Sequence, residues 1–289
     1  MEIRPASPAD FDEVHPLLLD FANPLMTRDD WRRMLFDLPW PVEEEQRGYI
    51  LRDGGRAVGF IGTIFSRRTL SGVTRRFCNL SSWIVKEPYR SSSVQLLLPV
   101  LALHSHTIVN LSPSAAAHEV FVRLGFQPLE TAQILMTHLA RPGELASLGR
   151  CSATSRPEEI HAELGGEGRL IAEHVAGTGA AQVLLRRGAR RCHVVATRSP
   201  WKGRWKLAHV QYASDWSFLW EYPGHASVAL GRALGTVGLR VDARHLRGAA
   251  PPLARRNLLE RPFLYRPGSP DVRPELVDGL YTEALGLRW

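Results

Sequence analysis

Nowhere in this sequence do uninterrupted apolar residues reach the ~18 that a helix needs to cross a bilayer. Met1 to Asp10 also lacks the basic-then-apolar order of a secretory signal. A cytoplasmic protein is therefore expected. Cysteine is scarce: Cys78, Cys151 and Cys192 are odd in number and irregularly spaced, which fits neither a disulfide framework nor a zinc ligand set. Their expected role is structural. No Cys/His/Asp/Glu cluster has metal-site spacing, so no metal is expected. A recognised nucleic-acid-binding module is also missing, and no specific nucleic-acid partner is expected.

What is present suffices for a full core. The chain has 289 residues, 44% of them hydrophobic, enough for two small domains. Its net charge of +7 is unevenly placed: residues 1–149 hold 15 Lys+Arg against 16 Asp+Glu, residues 150–289 hold 21 against 13. The basic half could face an acidic substrate, a nucleotide or an anionic membrane surface as a peripheral contact, or could be a plain Arg-rich surface.

Periodicity places the elements. Ile3 to Pro5 reads as a strand, and Ser7-Pro8 starts a helix with Ser7 as N-cap and Pro8 in the first turn. Phe11, Val14, Leu17, Leu18 and Phe21 give that helix one apolar face; Trp31, Met34, Leu35 and Leu38 do the same for a second. Gly48 to Arg52 and Ala57 to Ser66 form a hairpin about Asp53-Gly54-Gly55-Arg56. A strand at Arg76 to Val85, a long apolar helix at Val94 to Leu103, a strand at Thr107 to Leu111, a helix at Ala115 to Leu124 and a strand at Ile134 to Leu139 follow. The order is β-α-α-β-β-β-α-β-α-β.

Residues 141–157, rich in Pro, Gly and Ser, read as a linker. Beyond it, helices are expected at Glu158 to Leu164 and Gly179 to Arg187, strands at Cys192 to Thr197 and Trp205 to Ala213, then a helix at Ser227 to Leu234 and a strand at Leu239 to Ala243. Pro274 to Leu285 reads as a closing amphipathic helix packed as core. The strand-strand-helix-strand order echoes the first half without a residue-level repeat.

The chemistry is expected where the strand ending Trp83-Ile84-Val85 passes through Lys86 to Ser93 into a helix. A helix start offers unpaired N–H groups and a positive dipole end to an anion such as a pyrophosphate. Arg90 adds a charged donor, and Ser91, Ser92 and Ser93 add hydroxyls or cap the helix.

Val85-x-x-Pro88-Tyr89-Arg90-Ser91-Ser92-Ser93, followed by Phe121-Val122-Arg123-Leu124-Gly125-Phe126 and preceded by the hairpin Gly48-Tyr49-Ile50 … Ala57-Val58-Gly59-Phe60-Ile61-Gly62, resembles the signature regions of the GNAT acyltransferase superfamily. The resemblance spans Glu2 to Leu139. It implies an α/β fold with a mixed α+β sheet, a GNAT-like acyl-CoA N-acyltransferase fold in residues 1–145, and a divergent, basic GNAT-like domain in tandem at 155–289. It implies acetyl-CoA or a longer acyl-CoA as co-substrate, with no tightly bound cofactor. Ile84 and Val85 would lie beside the pantetheine arm, and Arg90, Ser91, Ser92, Ser93, Val94 and Gln95 would cradle the pyrophosphate. Three residues depart from the family: Ser93 and Gln95 stand at its small-residue positions, and Phe121 stands where many members carry a proton-donating tyrosine.

Direct attack by an amine needs a base, orientation and oxyanion donors. The candidates flank the opening expected between the fourth and fifth strands: Asn79 and Ser81 on one, Asn110, Ser112 and Ser114 beside the other. Neither strand holds a carboxylate, so an obvious base is missing. His104, His106 and His118 titrate in the useful range, and His118, one turn before Phe121, is the best placed.

In the second half, Trp201, Trp205, Tyr212, Trp216, Trp220 and Tyr222 crowd near Lys202, Arg204 and Lys206. They could form core, stack a base or sugar, or hold an acyl chain. His209 and Asp215 could supply the missing base. The function expected is acyl transfer from acyl-CoA to an amine in a ternary complex, the acceptor being an amino-sugar or polysaccharide precursor or a lipid amine. The alternative is a non-catalytic GNAT-like module that binds acyl-CoA or a partner.

Overall fold

The computed structural model describes residues 1–138, 151–246, 248, 250–251 and 253–288. Contacts divide the chain into two units: Met1–Leu129, Phe263–Leu276 and Tyr281–Leu287 form the first, and Glu130–Pro262, Val277–Leu280 and Arg288–Trp289 the second.

The first unit runs β1 (Glu2–Ala6), α1 (Phe11–Leu18), α2 (Arg28–Leu35), β2 (Gly48–Asp53), β3 (Arg56–Leu70), β4 (Val73–Val85), α3 (Leu98–Leu101), β5 (His106–Asn110) and α4 (Ala115–Arg123). Strands β1 to β4 pair antiparallel in order, and β5 runs parallel to β4. Gly54 and Gly55 both take positive φ, the twist that a two-residue hairpin turn requires. Helix α2 starts three residues before its first apolar anchor, Trp31. Thr27 caps it: its hydroxyl accepts from the Asp30 N–H at 3.2 Å, and its own N–H donates to the Asp30 carboxylate at 3.0 Å. The core gathers Leu51, Ile61, Phe65, Leu80, Leu97, Val100, Ile108 and Phe121.

Two features shape β4. Phe60 faces Ile84 but Gly62 faces Ser81, so β4 carries an extra residue there, and Ser82 takes φ +55°. Such a bulge bends a strand and re-aims its side chains. Pairing with β5 runs from Arg76–His106 to Asn79–Val109 and stops, so the two parallel strands part beyond Asn79.

The second unit holds β6 (Gln127–Thr137), β7 (Ser152–Thr154), α5 (Pro157–Glu163), α6 (Gly166–Ala176), β8 (Ala181–Arg187), β9 (Arg190–Trp201), β10 (Trp205–Ala213), α7 (Trp216–Glu221), α8 (Pro223–Leu234) and β11 (Gly238–Asp242). Strands β7 to β10 pair antiparallel, β11 runs parallel to β10, and β6 lies antiparallel to β11. Its core includes Val183, Val194, Val210, Phe218, Leu230 and Val241. The chain then returns to the first unit through β12 (Arg255–Arg266), whose Leu264–Arg266 end pairs antiparallel with β5.

Three expected helices are corrected. Val94 to Leu103 is instead the end of a 3₁₀ run, Glu87–Leu97, followed by the single turn of α3. Pro99 explains this: inside a longer helix it could not donate to Gln95, and its ring would clash with that carbonyl. Gly179 to Arg187 is not helix but β8, held by β7 on one side and β9 on the other, while the helix before it, α6, closes at Gly177. Tertiary pairing overrides the local propensity of Ala-Gln-Val-Leu-Leu. Pro274 to Leu285 is not one helix but two 3₁₀ turns, Pro274–Leu276 and Glu283–Leu285, separated by Tyr281 at φ +60°. Its N–H groups are taken elsewhere: Gly279 donates to the Gln211 carbonyl at 2.8 Å and Glu283 to the Asn79 side chain, also at 2.8 Å. The expected core role of this segment holds, since Val277, Leu280, Tyr281 and Leu285 are buried.

Of the expected linker, 141–150 lies outside the described residues, as does Leu139 at the end of the expected strand; 151–157 hold β7 and the start of α5. Strand β12 and helix α7 had not been expected. Among the described residues, no helix is long and apolar enough to cross a membrane.

Candidate active site

The fork between β4 and β5 collects most of the residues singled out above. Asn79, the last residue of β4 paired with β5, donates from Nδ2 to the Val109 carbonyl at 3.3 Å and so spans the fork. Its Oδ1 accepts the Glu283 N–H at 2.8 Å. Asn110 ends β5, and its Oδ1 accepts the Ser112 N–H at 3.2 Å, turning the chain toward α4. Ser112 Oγ donates to Glu283 Oε1 at 2.6 Å, and Ser81 makes a further hydrogen bond to the same carboxyl. Asn79, Ser81, Asn110 and Ser112 are thus brought together, and a residue outside that set joins them.

Glu283 is the carboxylate that neither strand provides. It comes from the C-terminal segment and is only 2% exposed. The segment is fixed on both sides: the Tyr281 ring meets Trp40 at 5.0 Å, and a Cβ on Gly286 would come within 2.8 Å of Met34 Cγ. Burial pushes the Glu283 pKa above its ordinary value, while the hydrogen bonds from Ser112 and Ser81 pull the other way. Among the described residues no cation pairs with it. Once ionised, a carboxyl whose pKa is raised binds a proton more readily than an ordinary one, which is what a general base needs. The sequence carried one signal: on a helical wheel Glu283 shares the stripe of Leu276, Leu280 and Ala284, where a carboxylate is out of place.

The histidines divide. His118 lies on α4, half-buried, and among the described residues its Nε2 has no hydrogen-bond partner. One turn on, Phe121 is fully buried, edge-on to Trp83 at 5.6 Å and against Phe126 at 4.9 Å. Trp83 Nε1 is likewise buried without an acceptor among the described residues. The neighbourhood of the absent tyrosine therefore holds two orphaned polar atoms. His106 is occupied elsewhere, bonded to Glu44 at 2.9 Å.

Beyond Asn79, β4 keeps its β3 partner, Gly59–Val85 and Phe60–Ile84, while its other edge has left β5. Backbone groups of Ser81 to Val85 on that edge suit an added extended chain such as a pantetheine arm. Next comes the 3₁₀ run, whose N–H groups are engaged three residues back, beginning with Tyr89 to the Lys86 carbonyl at 2.9 Å. The unpaired N–H groups expected near Val94 are therefore not there, and the groups this stretch offers to an anion are side chains. Arg90, Ser91, Val94 and Gln95 are exposed, Ser93 is half-buried and Ser92 is buried; Arg90 pairs with Glu87 at 2.7 Å, both well exposed.

In the second unit, β10 and β11 also part, after His209–Arg240. Here the carboxylate is Asp242, which accepts from Arg244 at 2.7 Å, Gln133 at 2.9 Å and His209 at 3.0 Å. These partners hold it far below the carboxylate range despite burial. Asp215 serves elsewhere, capping α7 through the Phe218 N–H at 2.9 Å and pairing with Arg190 at 3.0 Å. His209 and Asp215 are thus not brought together. Trp216 stacks on His245 at 3.9 Å, Trp220 donates to the His245 carbonyl at 2.8 Å, and Tyr222 packs on Phe218: these aromatics are core.

No family model and no curated protein matches the sequence. Solved structures do. A GCN5-related N-acetyltransferase from Kribbella flavida aligns at 15% identity and TM-score 0.57 over 92% of this chain and 70% of that one. A GCN5-related N-acetyltransferase from Anabaena variabilis aligns at 9% and 0.55, over 93% and 73%. A putative acetyltransferase from Pyrococcus horikoshii aligns at 14% and 0.53, over 96% and 92%. At these identities the likeness is one of architecture, and it extends over nearly the whole chain: this protein has the GNAT N-acetyltransferase fold.

Proposed function

We propose that the protein is an acyl-CoA-dependent N-acyltransferase, with the fork between β4 and β5 as its reaction centre. The observation that carries this reading is Glu283: a buried carboxyl with raised pKa, held by two serine hydroxyls beside an open strand edge. In the proposed reaction the amine nitrogen attacks the thioester carbonyl, forming the C–N bond as the C–S bond breaks. Glu283 takes the amine proton, and the departing thiolate takes one from water, because Phe121 has none to give. Ser112 and Ser81 orient the carboxyl, and Asn79 fixes the backbone that carries it. The edge of Ile84 and Val85 would receive the pantetheine arm; Arg90 and the hydroxyls of Ser91 to Ser93 would meet the phosphates, with Val94 and Gln95 alongside.

Two tandem GNAT-like domains, 1–145 and 155–289, are part of the proposal. It is supported by a shared connectivity: three antiparallel strands (β2-β3-β4; β8-β9-β10), a helical segment, and a fourth strand parallel to the third (β5; β11). Only the first would take acyl-CoA, through the side chains of Arg90 to Ser93, since in the second the corresponding helix start carries the Asp215 carboxylate, which would repel a phosphate. The acceptor class proposed is an amine on a sugar precursor or a lipid. Thiol release from acetyl-CoA and palmitoyl-CoA, followed across a panel of amines, tests the reading. Thermal stabilisation by CoA with no thiol release from any pair would instead favour a non-catalytic acyl-CoA-binding module.

A further inference from the structure

After the core claims Trp216, Trp220 and Tyr222, one aromatic-basic group remains, at the β9–β10 turn. Trp201 and Trp205 face each other across it as the last pair of the ladder. Between them lie Lys202 at φ +44°, Gly203 at φ +69° and Arg204. Strand β8 accompanies β9 only as far as Ala196, and β11 pairs with β10 only at Ala208 and His209. Thr197, Ser199 and Leu207 are still buried and the Val237 N–H donates to the Lys206 carbonyl at 2.9 Å, so what projects into solvent is the turn itself, Lys202 to Trp205. Arg240 braces the base of the projection, donating to Ser199 Oγ at 2.6 Å and to the Pro200 carbonyl at 2.8 Å.

The tip is amphipathic in a particular way. Trp205 is 44% exposed, an unusual state for the largest side chain, and Trp201 is half-buried. The Lys202 ammonium and the Arg204 guanidinium each sit 5.2 Å from the ring centre of the neighbouring Trp. Ser199 to Lys206 contains three cations and no carboxylate, within a half of the chain that is itself basic. Tryptophan prefers the headgroup layer of a bilayer, where its apolar body and polar N–H are both accommodated, and lysine and arginine beside it are drawn to anionic lipids.

We propose that the β9–β10 tip, Trp201 to Trp205, is a docking site for an anionic membrane surface. Nucleic acid fits less well: each ring already has a cation over it where a base would stack, and the charge is confined to one turn rather than laid out as a stripe. The proposal does not depend on the acyl-transfer reading.

Sedimentation of the full chain with vesicles of phosphatidylcholine alone, or with 30% phosphatidylserine (roughly the anionic fraction that gives a cytoplasmic-leaflet potential), tests it. Binding is expected to the anionic vesicles only, and to fall on raising the salt. K202Q/R204Q, which leaves the left-handed Gly203 in place, should lose about twenty- to thirty-fold in partitioning, near five-fold per cation. W201S/W205S should also weaken binding and should remove quenching by brominated lipid. Failure to bind anionic vesicles, equal binding to neutral ones, or unaltered binding by K202Q/R204Q overturns the proposal. So does salt-sensitive binding to duplex DNA, lost in the same variant, that exceeds vesicle binding.

Discussion

Replacing Glu283 by glutamine separates chemistry from architecture better than any other single change. The amide keeps the shape and can still accept from Ser112, whose hydroxyl lies 2.6 Å from Oε1. It cannot take a proton. Loss of a positioned base costs typically 10²–10⁴-fold, about 3–5 kcal/mol at ~1.36 kcal/mol per decade. Stability should respond in a different direction. Glu283 holds its proton more tightly in the folded chain than the ordinary value of 4.5, so its contribution is fully present below pH 4.5 and is lost as pH rises through the elevated folded value. E283Q should lack that slope, with a melting temperature at pH 8 that matches or exceeds the wild type. The wild-type rate should climb with pH as the carboxyl ionises, and Ser112→Ala should move that limb to higher pH because a hydrogen bond stabilising the charged form is gone. The measurements are single-turnover thiol release and thermal melts from pH 5 to pH 9. An E283Q rate within about three-fold of wild type, well short of the loss expected for a base, with the acid limb intact, would refute Glu283 as the base.

Other substitutions probe the frame. Asp242→Asn breaks a buried ion pair and should destabilise the fold by about 3–5 kcal/mol in urea titration. Since its folded pKa lies below the ordinary 3.8, its stabilisation is present above that pH and disappears on acidification, the opposite sense to Glu283. Gly268→Ala would put a Cβ 2.5 Å from the His106 carbonyl carbon and should cost about 1–3 kcal/mol, read as a lowered melting temperature. Phe121→Tyr would bury a hydroxyl beside Trp83 and Phe126 and should cost about 1–3 kcal/mol with no gain in thiol release; faster release at unchanged stability would show that the ring has room to act as an acid.

Local signals carried most of the first half. The Asp53 to Arg56 turn, the strand-forming runs of β2 and β3, and the helix of α4 are each settled within a few residues, and the structure has them in place. The four polar residues of the fork could be singled out because they stand in or just after two strands whose parting was expected: Asn79 and Ser81 within β4, Asn110 at the end of β5 and Ser112 two residues beyond it. Glu283 was not, because its place depends on a segment more than 170 residues away in sequence from Ser112, and no periodicity encodes that contact. Two of the misread helices share a cause: in Gly179 to Arg187 and Pro274 to Leu285 the backbone groups are taken by partners outside the segment, which outweigh a local preference of a few tenths of a kcal/mol, roughly, per residue.

The two forks make an internal control for the chemical reading. Both arise where a parallel pair of strands parts, and both contain a buried carboxyl. Asp242 is met by a guanidinium, an imidazole and an amide, and it stays charged; such a group braces a sheet and has no affinity left for a proton. Glu283 is met by two serine hydroxyls and, among the described residues, by no cation, so its burial is uncompensated and its pKa rises. Leaving a carboxyl in that state costs stability at neutral pH, and a well-packed apolar side chain would avoid the cost. Where one fold solves the same burial problem in both ways, the uncompensated carboxyl is the one whose retention calls for a chemical role, and taking a proton from an attacking amine is the role its surroundings suit.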